Sequence, residues 1–273
     1  VGVVMIAGGS VWSAYATTAW ELIVANGLFI GLLGTSAFFT PLMANTTRWF
    51  NARRGVAVGI VSAGQSLGGA VWPLVHSHLS SEFGWRNAYL AYAVLAVALC
   101  LPLAWLLRGR PPNLRARNES KAHQGLTGQQ TRFELKISPV VLQVALCVAI
   151  VGCCVAMSMP MVHIIAHSVG LGHPEARAAE ILAVLLFTSF ISRILWGMLA
   201  DRIGGLLTLF VSSGSQAVML CALLSAEGLL SLYVVGGLYG LAFGGIVPMY
   251  CVIVREYFPV AQLGWRIGII YLF

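Results

Sequence analysis

The chain has 273 residues, 59% of them hydrophobic and only 9% charged, with a mean hydropathy of +0.86 and a formal net charge of +7. Soluble domains carry roughly 25% charged residues, so water is not the main solvent of this chain, and a soluble enzyme is excluded. A nucleic-acid role needs a basic face on a soluble module, and no such module is visible.

A helix crossing lipid needs about 20 mostly apolar residues, because nothing in the hydrocarbon can satisfy an open backbone. Apolar runs between charged or turn-rich breaks predict spans near 1–19, 22–44, 55–75, 87–107, 139–161, 178–200, 205–226 and 229–252, with a ninth beginning near 263. The chain opens at Val1 without a basic n-region or a small-residue cleavage site, which predicts an incomplete N-terminus rather than a signal peptide. The pattern also stops within a span, at Ile270–Phe273. Between the fourth and fifth spans, Arg108 to Lys136 holds Pro111, Pro112, several Gln and mixed charge, too little apolar content to bury. The expected organisation is therefore a helical part over 1–107, a basic linker over 108–137 and a second helical part over 138–273.

Lys and Arg accumulate in cytoplasmic loops. With alternating spans, one side receives Arg48, Arg53, Arg54, Arg202, Arg255, Arg266 and the seven basic residues of the linker, which is thirteen of the sixteen. Arg86 and Arg177 fall on the other side and Arg193 within a span. The net charge thus reads as an orientation signal, with the linker cytoplasmic. The six cysteines (Cys100, Cys147, Cys153, Cys154, Cys221, Cys251) all lie in apolar stretches without metal-site spacing and read as small packing residues. Glycines at Gly27, Gly31, Gly34 and at Gly64, Gly68, Gly69 have the spacing that lets membrane helices approach closely. Pro41, Pro73, Pro160 and Pro248 predict kinks.

Gly197-Met198-Leu199-Ala200-Asp201-Arg202-Ile203-Gly204-Gly205 stands at a basic span end. Its glycines allow a tight turn, and the acid can approach the N-terminus of a neighbouring helix. The segment resembles the G-x-L-a-D-R-x-G-R/K loop of the major facilitator superfamily, with Gly205 in place of the final basic residue. A second segment, Arg48-Trp49-Phe50-Asn51-Ala52-Arg53-Arg54-Gly55, precedes a glycine-rich helix carrying Gly59, Ala63, Gly64, Gly68, Gly69 and Pro73. It is similar to the junction of helices 4 and 5 in the monocarboxylate and oxalate/formate branch of that superfamily; His163 to Gly172 is a weaker third match. The resemblance implies an all-α polytopic membrane protein with a partial major facilitator fold. About eight complete transmembrane helices and part of a ninth would correspond to helices 3 to 11 of twelve, and Gly197, Asp201, Arg202 and Gly204 would form a conformational latch.

Arg193 lies eight residues before Asp201, about 12 Å inside the helix end. An arginine there costs at least ~2.5–3.5 kcal/mol on insertion scales, so it is expected to face a bundle interior or an aqueous path. Its guanidinium can hold a carboxylate through two parallel hydrogen bonds. The family branch implies the same role, a substrate-binding Arg on helix 8. Proton-coupled monocarboxylate carriers have an acid one turn earlier, where this chain has Ser189.

Gln65, a polar amide on the glycine-rich helix, His163 and Tyr239 are the further substrate-binding candidates. Tyr15, Asn26, Trp72 and Tyr250 are weaker candidates for the cavity lining. His76-x-His78 and His163-x-x-x-His167 lack a carboxylate or thiolate to complete a metal shell, so they read as interfacial and no metal or cofactor is expected. The predicted function is secondary active transport by alternating access. The expected cargo is a small organic anion, crossing a lipid bilayer that is the plasma membrane by default, with the coupling species, a proton or a counter-anion, left open. Rival readings are an efflux carrier for amphipathic compounds and a membrane sensor without flux.

Overall fold

A computed structural model describes residues 1–50, 53–106 and 138–272. The predicted linker over 108–137 lies outside the described residues. Among those described, nine helices follow one another: α1 (Gly2–Tyr15), α2 (Ala19–Trp49), α3 (Arg54–Phe83), α4 (Trp85–Leu106), α5 (Pro139–Gly170), α6 (Glu175–Ile203), α7 (Gly205–Leu224), α8 (Leu229–Tyr257) and α9 (Leu263–Ile270). Six of them, α2 and α4 to α8, are long and apolar enough to cross a membrane. Each predicted span therefore has its helix. The largest extensions beyond the predicted windows are in α3, which continues to Phe83, and α5, which continues to Gly170.

Local chemistry sets the breaks. α2 begins with a capping box, in which Thr18 accepts from the Glu21 amide and Glu21 reaches back to the cap; its Ala25–Thr35 stretch is π-helical. Ser138 accepts from the Val141 amide at the start of α5, with Pro139 in the first helical turn. Gly204, at φ +87°, turns the chain between α6 and α7 in a conformation that side chains disfavour. The helices run on through Pro41 and Pro160. In α8 the interruption is instead at Gly244 and Gly245, ahead of Pro248.

α6 is the hub, with its most extensive packing against α3 and α8. Glycine makes both contacts close. A Cβ at Gly55 would fall on the Gly197 carbonyl oxygen, and one at Gly59 would stand 2.5 Å from the Arg193 carbonyl oxygen. On the other flank, Gly240, Gly244 and Gly245 lie against Leu185, Ser189, Ser192 and Trp196. Ser192 donates to the Gly240 carbonyl at 3.1 Å and Trp196 to that of Leu241 at 2.7 Å, bonds that add to dispersion where lipid supplies no hydrophobic drive. The expected packing role of Gly64, Gly68 and Gly69 is corrected here. Among the described residues, a Cβ at any of these meets nothing within 4 Å. The buried core centres on α8, where Tyr239, Phe243, Met249 and Tyr250 are each at most 2% exposed.

Candidate functional site

The arginine-rich end of the molecule is closed by two carboxylates acting as helix caps. α3 starts after Arg53, which offers no side-chain cap, and its first amides are satisfied from 146 residues away. Asp201 accepts from Gly55 N at 2.6 Å and from Val56 N at 3.1 Å. α7 also starts without a side-chain cap, at Gly204, and there Glu256 at the end of α8 accepts from Gly205 N at 3.1 Å. A carboxylate at a helix N-terminus satisfies open N–H groups and complements the helix dipole. The Gly205 departure has a steric reason: a Cβ there would approach Ile253, Val252 and Glu256 to within 3.0–3.2 Å. Among the described residues, no hydrogen bond or ion pair ties the exposed Arg202 to another.

Behind this closure lies a cavity of about 460 Å³ between α2, α3, α5, α6, α8 and α9. On α6 its lining runs from Leu186 through Ser189 to Arg193, so Arg193 is the lining residue of that helix nearest to Asp201. Arg193 is the charged side chain among the described lining residues, and it is only 6% exposed. Its Nη1 donates to the Ser62 carbonyl at 2.8 Å and to Gln65 Oε1 at 3.3 Å, which fixes the guanidinium against α3. Its Nε has no hydrogen-bond partner, a condition that costs about 1–3 kcal/mol for a buried donor. The Ser189 hydroxyl, one turn away, is buried and unpartnered as well. No carboxylate lines the described cavity.

Of the four binding candidates read from the sequence, Arg193 and Gln65 meet in this cavity. The other two do not, and the expectation is corrected for both. His163 is exposed on α5 outside the lining, and Tyr239 is fully buried, donating to the Ala156 carbonyl and accepting from Gln216 Nε2 at 3.2 Å. Tyr15 is 71% exposed, Asn26 is bound to Ser13 and Tyr89, Trp72 packs at a tilt against Tyr92, and Tyr250 is buried away from the cavity. His76 sits in the same aromatic group, 5.7 Å from Tyr89. Sequence reasoning missed Phe39, Met157, Met161, Phe243 and Tyr271 in the wall. Tyr271 is held there by its hydroxyl, which donates to the Val247 carbonyl at 2.7 Å. Nothing in an apolar run distinguishes such residues from packing ones.

This architecture of apolar helices, glycine-sealed at one end around a buried arginine, agrees with what the whole sequence matches: the family model of the Major Facilitator Superfamily covers residues 1–273. The chain belongs to that superfamily. It is 27% identical to the MFS-type transporter opdF of Penicillium oxalicum, over 97% of this chain and 60% of that protein. It is 26% identical to the agnestins efflux protein AgnL12 of Paecilomyces divaricatus, over 94% of this chain and 57% of that protein. It is also 26% identical to monocarboxylate transporter 13 of Rattus norvegicus, over 98% of this chain and 61% of that protein. The chain spans about 60% of the length of these curated relatives. The protein is thus an all-α, multi-pass membrane protein of a transporter family, not an enzyme.

Proposed function

We propose that the protein is a secondary transporter of organic anions that works by alternating access, with Arg193 as the anion anchor. The observation that carries the reading is the Arg193 guanidinium, buried in the cavity, held by Ser62 and Gln65 through Nη1, with its Nε edge left unpartnered. A guanidinium in the cavity lining suits a carboxylate, which accepts two parallel bonds from Arg but not from Lys. The two helical parts, 1–107 and 138–273, rock about the cavity. Gly197, Asp201, Arg202 and Gly204 form the latch, within which Asp201 joins the parts only while α3 and α6 are together. The membrane is the plasma membrane.

A second reading, extrusion of amphipathic compounds, is favoured by the apolar share of the wall, with Phe39, Met157, Met161, Leu186 and Phe243 facing the same space as Arg193. The relative named as an efflux protein agrees with it.

Uptake of radiolabelled mono- and dicarboxylates into proteoliposomes tests the anchor. With the full-length protein, Arg193→Ala abolishes uptake and Arg193→Lys does not restore it. Wild-type rates in a folded Arg193→Ala protein overturn the anion-anchor reading.

A further inference from the structure

Beyond the anchor itself, the cavity carries information on the body of its cargo. We infer that the site takes an amphipathic monoanion, with the anionic head on Arg193 and an apolar body seated against Phe39, Met157, Met161, Leu186 and Phe243. The inference rests on the proposed role of Arg193 as anchor.

Three observations carry it. The cavity encloses about 460 Å³, within the roughly 300–1,000 Å³ of pockets that enclose drug-sized ligands and far more than a two- or three-carbon acid fills. Its charge is a single group. Arg193 is the charged lining group among the described residues, and the polar groups Gln65, Ser66 and Ser189 stand on the same two helices, α3 and α6. α5 contributes Met157 and Met161, flexible and polarizable side chains that adapt to varied apolar shapes. A short acid would leave this wall wetted, whereas a longer apolar body displaces that water. A second carboxylate would find no second cation in the described lining, where the polar groups away from α3 and α6 are the neutral Thr35, Thr40 and Tyr271. The arrangement therefore rewards one charge and a long or aromatic body, and discriminates against dianions.

Cys154 lines the same cavity and supplies the readout. In the full-length protein with its other cysteines replaced by serine, the rate of maleimide labelling at Cys154 is measured against acids from acetate to dodecanoate, their α,ω-dicarboxylates and their methyl esters. Parallel runs use Arg193→Ala and the pair Met157→Gln with Met161→Gln. The half-protecting concentration of the monoacids is expected to fall about fourfold per methylene until the cavity is full. Dicarboxylates of equal length should protect at least about tenfold more weakly, as should the esters. The glutamine pair should flatten the chain-length series while leaving the shortest acids unchanged; should that variant not fold, the wild-type series decides alone.

Protection that depends on Arg193 but is flat with chain length, or equal for mono- and dicarboxylates, overturns the amphipathic monoanion and leaves the anchor standing. Esters that protect as well as acids, with Arg193→Ala unaltered, overturn the anchor and this inference with it. Absence of protection by any acid overturns both.

Discussion

Asp201→Asn isolates the latch, because the change keeps the shape of the side chain and removes its charge. Asp201 uses one carboxylate oxygen on Gly55 N and the other on Val56 N, at 2.6 and 3.1 Å, where α3 has no side-chain cap of its own. Asparagine retains a single acceptor, so one bond is lost and the other is no longer charge-assisted. Hydrogen bonds to charged groups contribute about 1.5–3 kcal/mol and the dipole term about 0.3–1 kcal/mol, both reduced at a site open to solvent. A net loss of about 2 kcal/mol falls on the conformation in which α3 and α6 touch, and it shifts the balance between the two access states about thirtyfold. The assay labels Cys154, as the remaining cysteine, with a membrane-impermeant thiol reagent applied to either face of oriented proteoliposomes. Labelling from the face opposite Asp201 should slow and labelling from the arginine-rich face should quicken, the two fold-changes multiplying to about thirty. Rates within twofold of wild type, in a protein that unfolds at the wild-type temperature, would refute the argument that these two bonds hold the closure.

Four further outcomes follow from the same geometry. Gly197→Ala places a Cβ against the Gly55 carbonyl and 3.1 Å from the Val56 Cα, so it should lower the thermal midpoint measurably and impair closure. Gly68→Ala, which meets nothing within 4 Å among the described residues, should stay within about 0.5 kcal/mol of wild type in the same melts. Ser189→Asp puts a carboxylate one turn from Arg193. Above its pKa the new group pairs with the guanidinium and competes with the anion, so anion affinity should be low near neutral pH and recover on acidification; a profile parallel to wild type would argue against an anchor at Arg193. Tyr239→Phe removes the bonds to Ala156 and Gln216, and should cost about 1–3 kcal/mol of stability in denaturation experiments while leaving the order of substrate preference unchanged.

The sequence by itself determined the class of the protein. Nine apolar runs became nine helices because a backbone in lipid has few ways to satisfy its polar groups, so composition and length alone limit the answer. It also marked Arg193, since a charge so far inside an apolar span is costly wherever it points, and it marked Gly204, whose turn is local, and Asp201, although the helix that Asp201 caps lies 146 residues away in the chain. The tertiary structure alone decided which side chains share the cavity. Gln65 reaches Arg193, whereas His163 stays outside and Tyr239 is enclosed by Gln216 and Ala156, although all three looked equivalent as polar groups in apolar helices. It alone decided that Gly55, Gly59 and Gly197 make the close contact and not Gly64 or Gly68. The physical reason is that lipid is as apolar as the protein core. A membrane helix therefore carries no polar stripe to show which face is inside, and the side that meets a neighbour, a cavity or a lipid is settled only when the helices pack.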